Sequence, residues 1–166
     1  MTTATRHGPL DSDMPIENHP IMIRSATLQD ATRLAELSAI LGYPVASDDF
    51  EPRLRRIIAH PDHVVFLAEV GAGTVAGWLH GAEQEFLESG RQCEILGLVV
   101  AEEHRRHEAG RHLVTAVETW ALHRGVPYIT VRSNVVRAES HPFYERVGYS
   151  RVKTQHTYRK ALHTLS

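Results

Sequence analysis

A charged turn that leads into a long amphipathic helix carries the residues best suited to bind a phosphate. Residues 101–114 follow an apolar run directly and read AEEHRRHEAGRHLV. A helix start exposes unpaired backbone N–H groups and the positive end of the helix dipole. Arg105, Arg106 and Arg111 add charge-assisted hydrogen-bond donors. The segment predicts an anion site, although a solvated turn with ordinary surface arginines accounts equally well for the same residues.

The elements around this turn predict an α/β domain with a mixed sheet. Apolar positions recur at helical spacing in some segments, and β-branched or aromatic runs bounded by glycine and proline occupy others. The predicted helices are residues 27–41, 47–58, 109–124 and 141–147, and the predicted strands are residues 21–23, 64–70, 74–79, 93–100, 128–131 and 149–158. Residues 83–90 are acidic and predict a loop.

The order of these elements predicts where a ligand would bind. Residues 71–73, Gly-Ala-Gly, indicate a hairpin, so the early strands are expected to be antiparallel. A strand, helix, strand order over residues 93–131 implies a right-handed crossover and a parallel pair. Ligands favour the carboxyl ends of such strands, which is where the charged turn begins.

Length and composition limit the classes of function. The 166 residues and 42% hydrophobic content suit one domain, expected over residues 20–166 after a flexible tail at 1–19. The single cysteine, Cys93, excludes an internal disulfide and a Cys-rich zinc site, and it favours a reducing cytoplasm. No run has the length of a signal peptide's apolar segment or of a membrane span, so we expect a soluble protein.

Nucleic-acid and metal binding are both disfavoured. The formal charge is −2, and the basic cluster HRRHEAGRH is short and lacks interleaved aromatic residues. His104, His107 and His112 lie close together but without an H-E-x-x-H pattern, so they are interpreted as solvated histidines and no metal is expected.

Two blocks of the chain resemble the GNAT superfamily of N-acetyltransferases. The turn resembles the family loop Arg/Gln-x-x-Gly-x-Gly/Ala, with Arg105 at its first position and Gly110 at its last. Glu108 departs from the pattern, because it stands where the family has glycine, and Arg106 also occupies a place that is frequently glycine. The second block, SNVVRAESHPFYERVGY, resembles the later family motif through Asn134 and Tyr144. Together the similarity spans residues 21–162.

The resemblance implies a GNAT fold and transfer of an acetyl group from acetyl-coenzyme A to a primary amine. The pantetheine arm would lie between the two parallel strands and pair with backbone, while the turn would hold the pyrophosphate. Homodimers are common in the family. The implied cofactor-binding residues are Leu98, Val99, Val100, Arg105, Arg106, His107, Glu108, Ala109, Gly110, Arg111, Asn134 and Arg137.

The resemblance also implies an acid and a base. An alkylammonium with a pKa near ~10.4 is almost wholly protonated at pH 7, so a base is needed. Glu94 lies eleven residues before Arg105, as the glutamate base of the histone-acetylating branch does, although Glu94 could simply pair with an arginine. Tyr144 would protonate the departing thiolate, unless its ring is only part of the core. The N–H of Val99 would stabilise the oxyanion, and Cys93 has no adjacent histidine partner, which favours direct transfer.

The sequence leaves two alternatives each for the acceptor and for the role of Glu108 in the turn. The segments expected to border the acceptor are acidic and favour a small cationic amine, or else are simply solvated. Their acidic residues are Asp48, Asp49, Glu51, Glu83, Glu85 and Glu88. Glu108 either turns outward beside its arginine neighbours or weakens cofactor binding. The second hypothesis is therefore a module that binds acyl-coenzyme A without turnover.

Overall fold

The computed structural model describes residues 20–105, 108–134 and 140–162 of the chain. The strands are β1 (Ile21–Ser25), β2 (His63–Val70), β3 (Thr74–Phe86), β4 (Gly90–Val100) and β5 (Ile129–Val131). The helices are α1 (Ala31–Ile40), α2 (Ser47–Ile58), α3 (Ala109–His123) and α4 (Ser140–Arg146), with short 3-10 turns at Leu28–Asp30 and Glu102–His104. The expected tail at residues 1–19 lies outside the described residues.

The strands form one sheet in the order β1-β2-β3-β4-β5. All neighbouring strands are antiparallel except β4 and β5, which are parallel and pair Cys93 with Ile129 through Ile95 with Val131. One sheet face packs on α1 and α2 through Leu34, Leu37, Leu54 and Leu67, and the other packs on α3 through Leu79, Leu113 and Val117. The predicted α/β class, mixed sheet and parallel pair are confirmed.

The predicted loop at residues 83–90 is wrong, because β3 continues to Phe86 and β4 begins at Gly90. Cross-strand charge pairing holds this part of the hairpin together in place of an apolar pattern. The Glu83 carboxylate accepts hydrogen bonds from Arg91 Nε and Arg124 Nε, each at 2.5 Å. Arg124 also donates a hydrogen bond to Asp62 at 2.6 Å. These arginines lower the pKa of Glu83 and balance its negative charge beside the β3–β4 hairpin.

The predicted final strand at residues 149–158 is also wrong. Residues 151–162 are exposed and have no regular secondary structure. Only a few apolar side chains, Val152 and Tyr158 among them, interrupt a polar run. Such a segment offers too little apolar surface to cover a sheet face, so strand propensity alone does not order it.

Asp30 joins the start of the first helix to the sheet. The two nitrogens Nη1 and Nη2 of Arg24 donate to its carboxylate at 2.8 and 2.7 Å, and the Thr27 N–H donates to it at 2.7 Å. Arg24 also donates to Glu69 of β2 at 2.7 Å. The Arg24 guanidinium lowers the pKa of the nearly buried Asp30 carboxyl to about 2.

Replacing Asp30 with asparagine is expected to lower the free energy of unfolding at pH 7 by about 2 kcal/mol, because it removes the charge of a buried carboxylate that pairs with Arg24. A depressed carboxyl pKa stabilises the fold above the unfolded value near ~3.9, and that stabilisation is lost as pH falls towards about 2. Urea denaturation at pH 7 and at pH 2.5 should therefore show a smaller difference between variant and wild type in acid. Glu36→Gln, in an exposed pair with Arg33, is the control and should change stability by less than about 1 kcal/mol. Equal losses of stability in the Asp30 and Glu36 variants would contradict the stabilising role of the Arg24–Asp30 pair.

None of the helices in the described part of the chain is both long enough and apolar enough to cross a membrane.

Candidate active site

The parallel pairing of β4 with β5 stops before β4 ends. It covers Cys93, Glu94 and Ile95, whereas β4 runs on to Val100. At the same point β4 carries an extra residue, Leu96, because the β3 partners His80 and Gly81 face Gly97 and Ile95. A bulge of this kind bends the strand and alters which backbone groups it presents. Over the described residues, the edge of β4 from Leu96 to Val100 therefore lacks a strand partner on its β5 side.

Leu98, Val99 and Val100 lie on this open stretch of β4. They pair on the other side with Leu79, Trp78 and Gly77 of β3. Val99 is buried towards α1 and α2, and its neighbours Leu98 and Val100 pack towards α3. A side chain at position 77 would bring its Cβ within 2.5 Å of the Val99 carbonyl oxygen, so glycine there permits the close approach of the two strands. The predicted backbone site is held from behind by β3.

The charged turn connects the end of β4 to the start of α3. Arg105 Nε lies 3.3 Å from the Val100 carbonyl oxygen, so the exposed Arg105 side chain folds back over the end of the strand. Ala109 is buried as the first residue of α3, and Arg111 is exposed in the first turn. The predicted anion-binding groups Arg105, Ala109, Gly110 and Arg111 are thus close in the chain and meet at one helix start. Arg106 and His107 lie outside the described residues.

Glu108 adopts the left-handed conformation, with φ 65° and ψ −5°, immediately before α3. It has the only positive φ found at a non-glycine position in the described chain. This conformation is the one that glycine adopts without steric cost, so it gives a physical reason for the glycine of the family pattern. The Glu108 carboxylate accepts a hydrogen bond from Arg111 Nε, and its carbonyl accepts the His112 N–H at 2.9 Å. Glu108 therefore engages one of the arginines predicted to bind the phosphates.

Replacing Glu108 with glycine is expected to tighten binding of acetyl-coenzyme A about fivefold, since it frees Arg111 and removes a negative charge from the turn. Isothermal titration calorimetry measures the change in Kd. Glu108→Gln separates the two contributions, because it removes the charge and keeps the side chain in the left-handed conformation. An unchanged Kd in both variants would count against a phosphate-facing role for this side chain.

Gly110 places the start of α3 against α4. A Cβ at this position would meet the Phe143 ring at 3.2 Å and Val100 Cγ2 at 3.8 Å. The close approach brings the residue after Phe143, Tyr144, to the same end of the molecule as the turn. The half-buried Tyr144 ring stands edge-on to Phe143, with centroids 5.2 Å apart, and to Tyr149, at 5.9 Å. Packing against these two rings thus positions the Tyr144 side chain.

Asn134 follows β5 and is exposed, and its carbonyl oxygen lies 3.2 Å from Nε2 of His141 in α4. The contact joins the end of β5 to the helix that bears Tyr144. Arg137, predicted to contact the cofactor, lies outside the described residues.

Glu94 is a buried carboxylate in the part of β4 that pairs with β5. Its side chain is 6% exposed, and its Oε1 lies 3.1 Å from Nε of Arg132, whose side chain is 70% exposed. Glu94 therefore has the arginine partner that the sequence offered as the alternative. Six residues separate Glu94 from Val100, roughly 20 Å along an extended strand. The candidate base and the charged turn thus lie at opposite ends of the open edge.

Three polar groups near this edge belong to no sequence motif. Trp78 Nε1 and Ser133 Oγ are buried and make no hydrogen bond within the described structure. Trp78 pairs with Val99, and Ser133 follows β5, so both lie beside strands that flank the open edge. His80 of β3 pairs with Gly97 on β4 and contacts a second histidine, His63, at the start of β2. Their burial and register become apparent only in the folded sheet.

Comparison with known proteins agrees with this geometry. Residues 30–149 match the model of the acetyltransferase (GNAT) family. Similar solved structures include a GNAT family acetyltransferase from Staphylococcus aureus (24% identity, 84% of this chain and 98% of that one, TM-score 0.71). A second is glucosamine-6-phosphate N-acetyltransferase from Arabidopsis thaliana (22% identity, 84% of this chain and 98% of that one, TM-score 0.72). A third is the aminoglycoside N-acetyltransferase AAC(6')-Iy in complex with CoA (16% identity, 90% of this chain and 100% of that one, TM-score 0.79).

No curated protein matches the chain. The three solved structures share the fold at low identity, and the family model covers well over half of the residues. The chain therefore belongs to the GNAT family of acetyltransferases.

Proposed function

We propose that the protein transfers the acetyl group of acetyl-coenzyme A directly to a primary amine. The observation that carries the proposal is the open edge of β4, which begins where pairing with β5 ends and leads to the turn before α3. An extended pantetheine arm could pair with such an edge as an added strand, and its pyrophosphate would then meet Arg105 and Arg111. The N–H of Val99 is the proposed donor to the oxyanion.

The state of Cys93 supports direct transfer over an acyl-enzyme intermediate. The thiol is buried, and burial raises its pKa to about 11, so it stays protonated near neutral pH. A nucleophilic cysteine needs thiolate character and access to the thioester.

The acceptor is proposed to be small and cationic. Several solved relatives are aminoglycoside acetyltransferases, and Asp48, Asp49, Glu85 and Glu88 are exposed near the α1–α2 and β3–β4 connections. Two other acidic residues contribute less, because Glu83 is held by two arginines and Glu51 is paired with Arg55 at 2.6 Å. Mass spectrometry of reactions with a polyamine, an aminoglycoside and a neutral hydrophobic amine tests the acceptor. A preference for the neutral amine would contradict the proposed charge.

A module that binds acyl-coenzyme A without turnover is the second candidate. The observation that favours it is the Glu108–Arg111 pair, which occupies an arginine of the turn. The retention of Glu94 and Tyr144 supports the enzyme. Tight binding of acetyl-coenzyme A without acetylated product from any amine would support the module.

The family resemblance supports a homodimer, with residues 20–166 of each chain as one domain. The single cysteine, which is buried and free, supports a reducing cytoplasm. Sedimentation velocity tests the dimer, and a monomer at micromolar concentration would contradict it.

A further inference from the structure

Two histidines form a hydrogen-bonded pair on the sheet face that packs against α1 and α2. Nδ1 of His63, the first residue of β2, lies 2.9 Å from Nε2 of His80 in β3, and the ring centroids are 5.1 Å apart. A neutral imidazole carries one N–H donor and one acceptor nitrogen, so a bonded pair has one outer nitrogen at each end. Such a pair can accept a proton at one end and release another at the opposite end.

The register of the sheet brings this pair beside Glu94. Ala82 of β3 lies opposite both His63 of β2 and Glu94 of β4, so these three residues share a face. His80 lies two residues before Ala82 in the same strand and therefore shares that face as well. Diagonal neighbours across paired strands have backbones roughly 7–8 Å apart, within reach of long side chains or of one bridging water. Glu94, His80 and His63 thus form a row across three strands.

The outer end of the row opens on a surface groove. The groove is lined by Arg53, Arg56, Ile57 and His60 of α2 and its end, together with His63. The His60 ring stands edge-on to His63, with centroids 4.8 Å apart. His63 is therefore the member of the row that reaches solvent, whereas Glu94 is buried.

Burial, together with the positive charges around the pair, keeps both rings neutral at pH 7. Burial lowers the pKa of His80 to about 4, with a smaller effect of His63. Burial and then His60 lower the pKa of His63, and Asp62 opposes them. Arg53 and Arg56 line the same groove, and their positive charges disfavour retention of a proton on His63.

We propose that His80 and His63 are positioning residues that carry the proton released in acetyl transfer from Glu94 to the groove. The proposal rests on the function proposed above. The N–C bond of the amide forms as the C–S bond of the thioester breaks, and the substrate ammonium loses two protons. One proton ends on the coenzyme A thiol, and the other must reach solvent.

The second proton follows the row in three transfers. Glu94 takes it from the amine and passes it to Nδ1 of His80. The Nε2 hydrogen of His80 moves to Nδ1 of His63, and the Nε2 hydrogen of His63 leaves to water in the groove. One proton enters and one leaves, so no charge accumulates, and reorientation of the two rings restores the starting N–H positions.

Replacing His80 or His63 with glutamine tests the relay, because glutamine can hydrogen-bond but does not relay a proton at neutral pH. In dilute buffer with a strongly basic amine, kcat is expected to fall about tenfold in each variant. Free imidazole in solution should restore most of it. The exposed surface variants His123→Gln and His156→Gln are matched controls and should stay within about twofold of wild type.

Three outcomes separate the proposals. Wild-type kcat in both variants in dilute buffer overturns the relay alone, and so does a loss that imidazole does not restore in variants with wild-type circular dichroism and Tm. Absence of thiol release from the wild type with every amine overturns the proposed function and the relay with it. A tenfold loss restored by imidazole in both variants, with intact controls, supports the relay.

Discussion

Replacing Tyr144 with phenylalanine is expected to lower kcat for thiol release about 10²-fold and to leave the Kd for acetyl-coenzyme A within about twofold. The reference pKa of a phenol is about 10 and that of a thiol about 8.5, so proton transfer between these two kinds of group is feasible. The expected loss of kcat lies at the low end of the range for general acids, because a thiolate is a good leaving group even without protonation. The ring is positioned by Phe143 and Tyr149, so the variant keeps the packing.

The control for this change is Tyr128→Phe, which removes an exposed hydroxyl before β5 and should leave kcat unchanged. Stopped-flow detection of free thiol and calorimetry on the same samples separate turnover from binding. A Tyr144 variant with wild-type kcat would assign the ring to the core and leave the general acid to another group.

Replacing Glu94 with glutamine is expected to lower kcat/KM about 10²-fold for alkylamines, because these must lose a proton before they attack. An amine that is already neutral at pH 7, such as an aromatic amine or a hydrazine, needs no such step. The deficit should therefore shrink to a few-fold for those acceptors. Glutamine is close in size to glutamate and keeps an oxygen that can accept the Arg132 N–H.

Glu36→Gln removes the charge of an exposed glutamate that belongs to no part of the proposed site, and it is the matched control. Parallel measurements with one strongly basic and one weakly basic amine decide the role of Glu94. An equal loss for both amines would mean that the Glu94–Arg132 pair organises the strand and that the proton leaves by another route.

The sequence predicted the parallel strands and the helix that follows them because their signals are local and strong. The apolar run at residues 93–100, the helical spacing after Ala109 and the stop at Gly125 all act within one element. The anion site stays a prediction, which rests on the arginines at the start of the helix. The departure at Glu108 was also visible, but its cause was not, because φ 65° is a property of the folded turn.

The failed predictions concern interactions between distant segments. Residues 83–90 lack an apolar pattern, and their strand is held by ion pairs from Glu83 to Arg91 and to Arg124, 41 residues away. The strand predicted at residues 149–158 has suitable propensity but is left exposed. His63 and His80 belong to no motif, and only the register of β2 on β3 brings their rings together.

The most direct test of the central claim is thiol release from acetyl-coenzyme A by the purified wild-type protein, measured with and without a panel of primary amines. A direct acetyltransferase should release thiol only when an amine is present, in equal amount to the N-acetyl product identified by mass spectrometry. Thiol release that is independent of amine would indicate hydrolysis or an acyl-enzyme. Tight binding of acetyl-coenzyme A without release from any amine would contradict the account.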